Sequence, residues 1–483
     1  MNPRKVMPVL LCITFLMLFA AGCGAPGASP TGMPAGTFSP PAPTDIPAGA
    51  TALPAGPASI PGQTLMIYDD DGSRDGIAAL LYLLDQPDIS IPVVSISYGE
   101  AHPAVYVQHV GRVLDELGIQ GILLGEGQDA PLAGGTPFPD WLRQMSDDFW
   151  GYPLADTGKT YPVQDAAGLM VATINQASQP VTIFQSGTFT TLAQALRLDP
   201  GIRENIAAVY FMGGAVYVPG NITNLLPDSS NHVAEWNIYA DPQAAKEVFE
   251  SGLDLYMVPL DATNPLKLTR SDILLWQSGD KKARLVADLY DMMFTSFGFS
   301  TVEIFDLTAA VLSVKPDLCP FQPLHLDVVT AGGDTTGQTA VVSGGEPNVN
   351  VCLEPDIERI KQEQNRTFSG VGASQEVPSP APIFGKWEGT ASNNGVEMQV
   401  SVTIEETCQL DQVCGRYDIP DFSCSGSWTW VGMDGDMYQF QAFDKTSGCG
   451  AGTDYLLPQP DGTVIYISRG DYGETQGPLH RVP

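Results

Sequence analysis

Leu65-Met66-Ile67-Tyr68-Asp69-Asp70-Asp71-Gly72-Ser73-Arg74-Asp75-Gly76 runs from a short apolar strand into an acidic turn, and Ile77-Ala78-Ala79-Leu80-Leu81-Tyr82-Leu83-Leu84 continues it as a buried helix. Neither the strand nor the helix has a polar face, so both are expected to be covered on all sides. The same alternation recurs downstream. Residues 91–97 read as a strand, Val105 to Leu117 has helical spacing, and Gly121-Ile122-Leu123-Leu124-Gly125 reads as a third strand. Strand 181–184, helix 190–198, strand 208–212, helix 241–251 and strand 255–258 follow. Short apolar strands alternating with helices predict an α/β unit over residues 64–368, a mainly parallel sheet with helices on both faces.

In such sheets ligands collect at the carboxyl ends of the strands. The first of these ends is the acidic turn, with four carboxylates inside residues 69–75. Crowded into a partly buried turn they repel one another, and a hard divalent cation bound through oxygen relieves that repulsion. A solvated loop whose last Asp caps the helix explains the same residues without a metal, and this segment alone leaves both readings open.

Outward from this unit the composition changes twice. A linker rich in Gly and Pro spans 369–383, and beyond it the period becomes two. Val396, Met398, Val400, Val402 and Ile404 alternate with polar residues, and Trp428, Trp430, Tyr438, Phe440, Val464 and Tyr466 continue the pattern. Residues 384–483 therefore read as a small antiparallel all-β domain, barrel or sandwich. At the other end, Arg4 and Lys5 precede an apolar run from Val6 to Ala21, a signal-like segment over 1–22. It ends in Ala20-Ala21-Gly22-Cys23, which resembles the bacterial lipobox and implies lipidation of Cys23, with Ala20 standing where Leu is usual. After Cys23, residues 24–63 are mostly Pro, Ala, Gly, Ser and Thr with one charge, Asp45, so 23–63 reads as an extended tether. The expected location is the extracytoplasmic face of a membrane, held by the lipid.

Lys plus Arg is 23 and Asp plus Glu is 55, a formal charge of −32. That balance argues against nucleic acid as a partner. Of the 8 cysteines, Cys12 leaves with the signal and Cys23 takes the lipid. The remaining even set in an exported chain suggests disulfides: 319–352 as the natural first pair, then 408–414 with 424–449 among three pairings open to the last four. Self-association into a homo-oligomer is left open, as is the partner of the β domain.

Several further segments stand in a telling order: Ser186-Gly187-Thr188-Phe189-Thr190-Thr191, Met212-Gly213-Gly214, Pro219-Gly220-Asn221, Glu235-Trp236-Asn237-Ile238-Tyr239-Ala240-Asp241-Pro242 and Asp306-Leu307-Thr308-Ala309-Ala310-Val311. Gly337-Gln338-Thr339 and Pro347-Asn348-Val349-Asn350-Val351 close the series. Together with the acidic turn, they resemble the inosine–uridine nucleoside hydrolase family over about 64–368. The resemblance implies cleavage of the N-glycosidic bond of a ribonucleoside or related ribosyl compound with bound Ca²⁺. An anionic pocket suits the oxocarbenium-like transition state, and water activated by the metal with help from an Asp is the nucleophile. It implies Asp70, Asp71, Asp75, Asp306 and the backbone carbonyl of Ser186 as metal ligands, with Asp70 also catalytic. Asn221, Glu235 and Asn237 would hold the ribose, with Met212 beneath it; flanking an aromatic, Glu235 and Asn237 are expected to point one way from an extended segment.

The family pattern D-x-D-P-G-x-D-D fits the turn in two registers. With Gly72 on its Gly, the metal pair is Asp70 and Asp75, while Tyr68 and Arg74 replace two acids. With Asp69 on the first Asp, Asp71 and Asp75 take the third and seventh places, and Gly76 replaces the last ligand. We favour the first. Other departures are Phe305 where a proton-donating His often precedes the late Asp, and Glu100 in the usual Asn place. His232, in a long loop, reads as a surface residue or a replacement acid on a mobile lid. His102 and His109 read as structural, though His102 follows Glu100 closely enough to face the pocket. Asp241 before Pro242 reads as a helix cap with no chemistry. A non-catalytic ribosyl-binding lipoprotein that keeps the pocket is the alternative, and Phe305 and Glu100 favour it.

Overall fold

The computed structural model describes residues 62–133, 135–295, 297–369 and 381–482, interrupted in the last stretch at 394, 409–412, 435–436, 444, 447–448, 450–451, 460 and 471–472. The signal-like segment, Cys23, the tether up to residue 61 and linker residues 370–380 lie outside the described residues.

The α/β unit has a nine-stranded sheet made from β1 (Thr64–Asp70), β2 (Ile89–Ile96), β3 (Leu123–Glu126), β4 (Val163–Asp165), β5 (Val181–Gln185), β6 (Ile206–Met212), β7 (Leu255–Val258), β10 (Gln322–Leu324) and β13 (Val349–Val351). Its order is β10-β13-β7-β6-β5-β1-β2-β3-β4, parallel throughout except for β10 against β13. Two short antiparallel pairs lie outside it, β8 (Lys267–Thr269) with β9 (Thr301–Glu303) and β11 (Leu326–Val328) with β12 (Thr339–Val341). The helices are α1 (Arg74–Leu84), α2 (Pro103–Glu116), α3 (Asp140–Asp147), α4 (Ala166–Gln176), α5 (Thr190–Leu198), α6 (Ile222–Leu225), α7 (Trp236–Ala240), α8 (Pro242–Phe249), α9 (Leu260–Thr263), α10 (Arg270–Gln277), α11 (Lys281–Thr295), α12 (Asp306–Val314) and α13 (Ile357–Ser369).

Successive side chains of a strand leave on opposite faces. In β1, Met66 and Tyr68 join the core formed with α1, α2, α11 and α12, while Leu65 and Ile67 are equally buried on the other side. Both faces are therefore covered, as the all-apolar strand predicts. The chain runs β1 to β4 toward one edge, then returns to place β5 on the other side of β1. This reversal makes a topological switch point, and the crevice at the carboxyl ends of β1 and β5 is where such a sheet binds ligands.

Four local readings are corrected. The third strand begins at Leu123 rather than Gly121. Helix 241–251 is Pro242–Phe249, with the separate short helix Trp236–Ala240 before it. Glu235 and Asn237 therefore lie at a helix start and not in extended chain, because the Glu235 carboxylate accepts from the amides of Asn237 and Ile238 and closes the first turn. In α1 the cap is Ser73, whose hydroxyl accepts from the Gly76 amide, and not the last Asp of the turn. Asp241 caps α8 with Pro242 at the first helical position, as read from the sequence.

Residues β14 (Gly385–Asn393), β15 (Val396–Ile404), β16 (Val413–Ile419), β17 (Cys424–Asp434), β18 (Met437–Phe443), β19 (Gly452–Pro458), β20 (Val464–Gly470) and β21 (Gly473–Val482) form a closed antiparallel barrel, each strand beside the next and β21 beside β14. Closure removes both sheet edges. Of the two architectures open to the alternating pattern, the barrel is the one adopted. Its interior is filled by Trp387, Trp428, Tyr417, Phe440 and Tyr466, with Trp428 stacked on Tyr417, Phe440 and Tyr466. The disulfides are Cys319–Cys352, Cys408–Cys414 and Cys424–Cys449, the pairing expected from their spacing.

Candidate active site

The acidic turn leaves β1 at the switch point, and every acid in it is buried. Asp69 faces back into the sheet, where its carboxylate accepts from the hydroxyls of Ser95 and Ser97 and from Gln185 Nε2 at 2.8 Å. Burial still pushes its pKa up to about 6 against those three bonds. Asp70 accepts from Ser186 Oγ at 2.9 Å. Burial drives its carboxyl up to about 7, opposed by that hydroxyl and reinforced by the charges of Glu100 and Asp69. Asp71 accepts from the Glu100 amide at 3.3 Å, and its carboxyl is raised well above the usual range by burial and then by Asp70 and Glu100.

Asp306 is the first residue of α12 and accepts from Ser73 Oγ at 2.9 Å. Burial raises its carboxyl well above normal, and Asp75, Asp71 and Asp70 add repulsion in that order. Asp75 has a different environment. Its oxygens accept from Tyr290 Oη at 2.7 Å and from the amides of Phe305, Asp306 and Leu307 at 2.5, 2.8 and 3.4 Å. It thus closes the first turn of α12 from a distant part of the chain, which fixes Asp306 beside the turn. Glu100 accepts from Ser146 Oγ at 3.0 Å, and burial raises it to about 7 against the pull of Arg74.

Glycines make this crowding feasible. A Cβ on Gly76 would lie 2.0 Å from Asp70 Oδ1, and one on Gly99 or on Gly187 would lie 2.4 Å from the Asp71 Cβ. The loops after β2 and β5 therefore close on Asp71 from two sides, and α1 starts directly under Asp70.

On the β6 side, Asn237 Nδ2 donates to the carbonyls of Ser186 and Met212, each at 3.1 Å. The proposed Ser186 carbonyl donor is thus held in place by a proposed ribose residue. Glu235 accepts from the amides of Gly214 and Asn237 at 2.9 Å and of Ile238 at 3.3 Å, and burial raises its carboxyl against those bonds. Asn221 Oδ1 accepts from the Trp236 amide at 3.1 Å, tying its turn to α7. Met212 is buried with its sulfur 3.7 Å from Asn237 Nδ2.

The structure brings Asp70, Asp71, Asp75 and Asp306 to one place with Ser186, and Glu235, Asn237 and Met212 to an adjoining one. Asn221 is tied to the segment that carries Glu235 and Asn237 by its Oδ1, which accepts from the Trp236 amide, and by its own amide, which donates to the Ala234 carbonyl at 3.0 Å. His102 and His109 do not join either group, since Asp147 takes His102 Nδ1 at 2.6 Å and its carbonyl takes His109 Nε2 at 2.7 Å, binding α2 to α3. His232 is exposed, and its loop is tied down by Gly220 N to the His232 carbonyl at 2.8 Å and by Asn231 to the Thr336 carbonyl at 2.7 Å. Phe305 is partly buried against the core beside Asp306.

Among the described residues, no three His, Cys, Asp or Glu side chains stand as a finished metal-ligand set. The donor chemistry nonetheless fits a hard dication: Asp70, Asp71 and Asp306 are buried and acceptor-only when ionised, burial raises all three carboxyls, Asp70 adds repulsion on Asp71, and Asp71 and Asp70 add it on Asp306. The residues that sequence reading missed are supports: Ser95, Ser97 and Gln185 under Asp69, Tyr290 on Asp75, and Gly99 and Gly187 around Asp71. Ser95 and Ser97 carried a signal, two small polar residues on one face of the end of an otherwise apolar strand.

The chain matches the inosine-uridine preferring nucleoside hydrolase family over residues 66–362. It is 30% identical over 310 residues to the pyrimidine-specific ribonucleoside hydrolase RihA of Salmonella paratyphi B, covering 60% of this chain and 94% of the relative, with the same figures for that of Salmonella typhi. Among solved structures, the purine-preferring ribonucleoside hydrolase of Gardnerella vaginalis superposes with a TM-score of 0.56 at 23% identity, over 64% of this chain and 98% of that one. The inosine-uridine preferring nucleoside hydrolase of Bacillus anthracis gives a TM-score of 0.56 at 24% identity, over 64% and 100%. At those identities the structures speak for the fold. The family match runs from β1 to α13, spans the acidic turn and Asp306, and leaves the barrel outside, so this chain belongs to the inosine-uridine preferring nucleoside hydrolase family.

Proposed function

We propose that the protein is a Ca²⁺-dependent hydrolase of the N-glycosidic bond of ribonucleosides or related ribosyl compounds. One observation carries this reading: Asp70, Asp71 and Asp306, brought from two ends of the fold, are buried together at the switch point with Ser186 beside them. In this reading Asp70, Asp71 and Asp306, with the Ser186 carbonyl, hold the metal, and Asp75 sets Asp306 in place and completes the anionic wall. Calcium supplies the positive charge that offsets these acids and polarises the groups it ligates.

The other steps belong to the chain's own residues. Asp70, ionised beside the metal, accepts a proton from the attacking water. The remaining acids stabilise the positive charge that develops on the ribosyl ring as the bond to the base breaks. Glu235, Asn237 and Asn221 orient the sugar, and Met212 packs beneath it. Phe305 offers no proton to the departing base, so turnover depends on the leaving group.

A second reading is favoured by that same Phe305 and by the four bonds that occupy Asp75: a ribosyl-binding protein without turnover. Reducing-sugar release from a panel of nucleosides, with and without Ca²⁺, separates them. Calcium-dependent release supports the hydrolase, and binding without release on every member supports the binding protein.

We place the protein on the extracytoplasmic side, lipidated at Cys23 and spaced from the membrane by residues 24–63. Three disulfides and the lipobox-like Ala20-Ala21-Gly22-Cys23 support this. No helix among the described residues is long and apolar enough to cross a membrane. Loss of membrane association on Cys23→Ser would support the lipid anchor, and unchanged association would refute it.

A further inference from the structure

Gly76 is the third residue of α1, where glycine is a poor helix former, and its φ lies outside the left-handed region that would call for one. What glycine provides here is space. A Cβ on Gly76 would lie 2.5 Å from the Asp70 Cγ, 2.7 Å from its Oδ2 and closer still to its Oδ1. The Asp70 carboxylate therefore fills the place where a side chain at 76 would begin. The backbone at 76 is pinned on both sides: its amide donates to Ser73 Oγ at 2.7 Å, and its carbonyl accepts from Tyr68 Oη at 2.6 Å. The same Ser73 hydroxyl donates to Asp306 Oδ2 at 2.9 Å, so one hydroxyl separates position 76 from Asp306. Asp70 Oδ1 is held in turn by Ser186 Oγ at 2.9 Å.

Placed with Asp69 on its first Asp, the family pattern ends in an acid at 76 and leaves position 70 unspecified. This chain has the reverse, an acid at 70 and a glycine at 76. Asp75 does not make up for the missing acid, because Tyr290 Oη and the amides of Phe305, Asp306 and Leu307 occupy the roughly four lone-pair sites of its carboxylate. We propose that the two departures are one exchange: Asp70, reaching over from the end of β1, is the metal ligand that α1 would otherwise supply from position 76, and residue 76 is glycine so that this carboxylate can stand there. Acids at both positions would put two carboxylates in one volume. An acid at neither would leave Asp71 and Asp306 without their third. The exchange keeps the number of acids at the site and changes only the place in the chain from which one of them comes.

The inference rests on the calcium-site reading, and its test uses Ca²⁺ alone as the probe. The whole chain is prepared as wild type, Asp70→Ala, Gly76→Asp, Asp70→Ala/Gly76→Asp and Asp70→Ala/Gly76→Ala. Each is melted in chelator and in Ca²⁺, and titrated with Ca²⁺ by calorimetry. Asp70→Ala should weaken Ca²⁺ binding by about 100-fold, because affinity follows the charged ligands available. Putting the acid back at 76 in the Asp70→Ala background should bring binding to within about tenfold of wild type, whereas alanine at 76 should restore nothing. In chelator Gly76→Asp should melt lowest of the five, and adding Asp70→Ala should remove most of that loss, because the two side chains no longer compete for one space. If Gly76→Asp does not fold, Asp70→Ala compared with the two double variants still decides the question. An Asp70→Ala/Gly76→Asp variant that binds Ca²⁺ no better than Asp70→Ala/Gly76→Ala, beside a wild type that does bind it, would overturn the exchange and leave the metal reading standing. Additive effects of Asp70→Ala and Gly76→Asp in chelator would overturn it as well. A wild type that binds no Ca²⁺ would overturn the metal reading, and the assignment of Asp70 as a ligand with it.

Discussion

Asp70→Asn should make the protein more stable without calcium and less stable with it. Asp70 has a folded pKa of about 7 against an ordinary 3.8. A shift of that size corresponds to roughly 4 kcal/mol between the ionised and neutral forms at full strength. Asn is the same shape, stays neutral, and still accepts from Ser186 Oγ. Relaxation and coupling to the neighbouring acids reduce the gain, so we expect about 1–3 kcal/mol in chelator at pH 8, or about 3–8 °C in Tm. The sign with pH follows from the raised folded pKa. Between about pH 4 and 7 the folded protein holds more protons than the unfolded chain, so apo stability falls as pH rises through that window and is flat above it. Wild type in chelator should therefore melt higher at pH 6 than at pH 8, and Asp70→Asn should flatten part of that slope. Calcium reverses the ranking, since a ligand at a hundred times its Kd adds about 2.7 kcal/mol to the state that binds it. Scanning calorimetry of both proteins, in chelator and in Ca²⁺, reads all of this. An Asp70→Asn variant that is less stable than wild type in both buffers, with an unchanged calcium shift, would refute the reasoning, because Asp70 would then be a satisfied structural group.

Three other outcomes test neighbouring parts of the site. Asp69→Asn should cost about 1–3 kcal/mol, because its new amide faces hydroxyl and amide donors, yet leave the calcium shift in Tm unchanged. Gly76→Ala should abolish that shift while the fold survives by near-UV circular dichroism, since the added Cβ would lie 2.0 Å from Asp70 Oδ1 and must displace it. A nitrophenyl riboside should be cleaved readily and inosine slowly, because general-acid help is worth about 10²–10⁴-fold and Phe305 supplies none. Phe305→His should narrow that gap, and no cleavage of either substrate by calcium-loaded protein would favour the binding-protein reading.

The parts legible in the sequence are those whose cause is local. The apolar runs of β1 and α1 need cover on both faces wherever they sit, and so announce a parallel sheet. The alternation through Val396 to Ile404 announces a β domain by the same logic. Whether that domain closes depends on β21 pairing with β14, a contact between Gln476 and Ser392 or Leu479 and Gly389 that no local pattern encodes. The division of the cysteines into two and four was enough for Cys319–Cys352, whereas among the last four it left three pairings, of which the favoured one is formed.

The roles of the individual acids were less legible, and for a physical reason. Asp69, Asp70, Asp71 and Asp75 are near neighbours in sequence with the same functional group, and what separates them is the partner each meets in space. Asp69 is neutralised in effect by Ser95, Ser97 and Gln185 from two flanking strands, and Asp75 by Tyr290 and the start of α12, more than 200 residues away. Asp70 receives Ser186 Oγ and the Asp71 backbone amide, and Asp71 receives the Glu100 amide, fewer than the three donors on Asp69 and the four on Asp75, so their charge is the less compensated. Glu235 shows the same dependence in reverse: flanking an aromatic, it read as a side chain pointing from an extended segment, yet three backbone amides claim it. A carboxylate satisfied by protein donors is held in place, whereas one left short of donors and buried among its own kind is poised to take a cation. The distinction therefore lies in the hydrogen-bond count around each acid, and it selects Asp70, Asp71 and Asp306 as the residues whose neutralisation should change calcium response most.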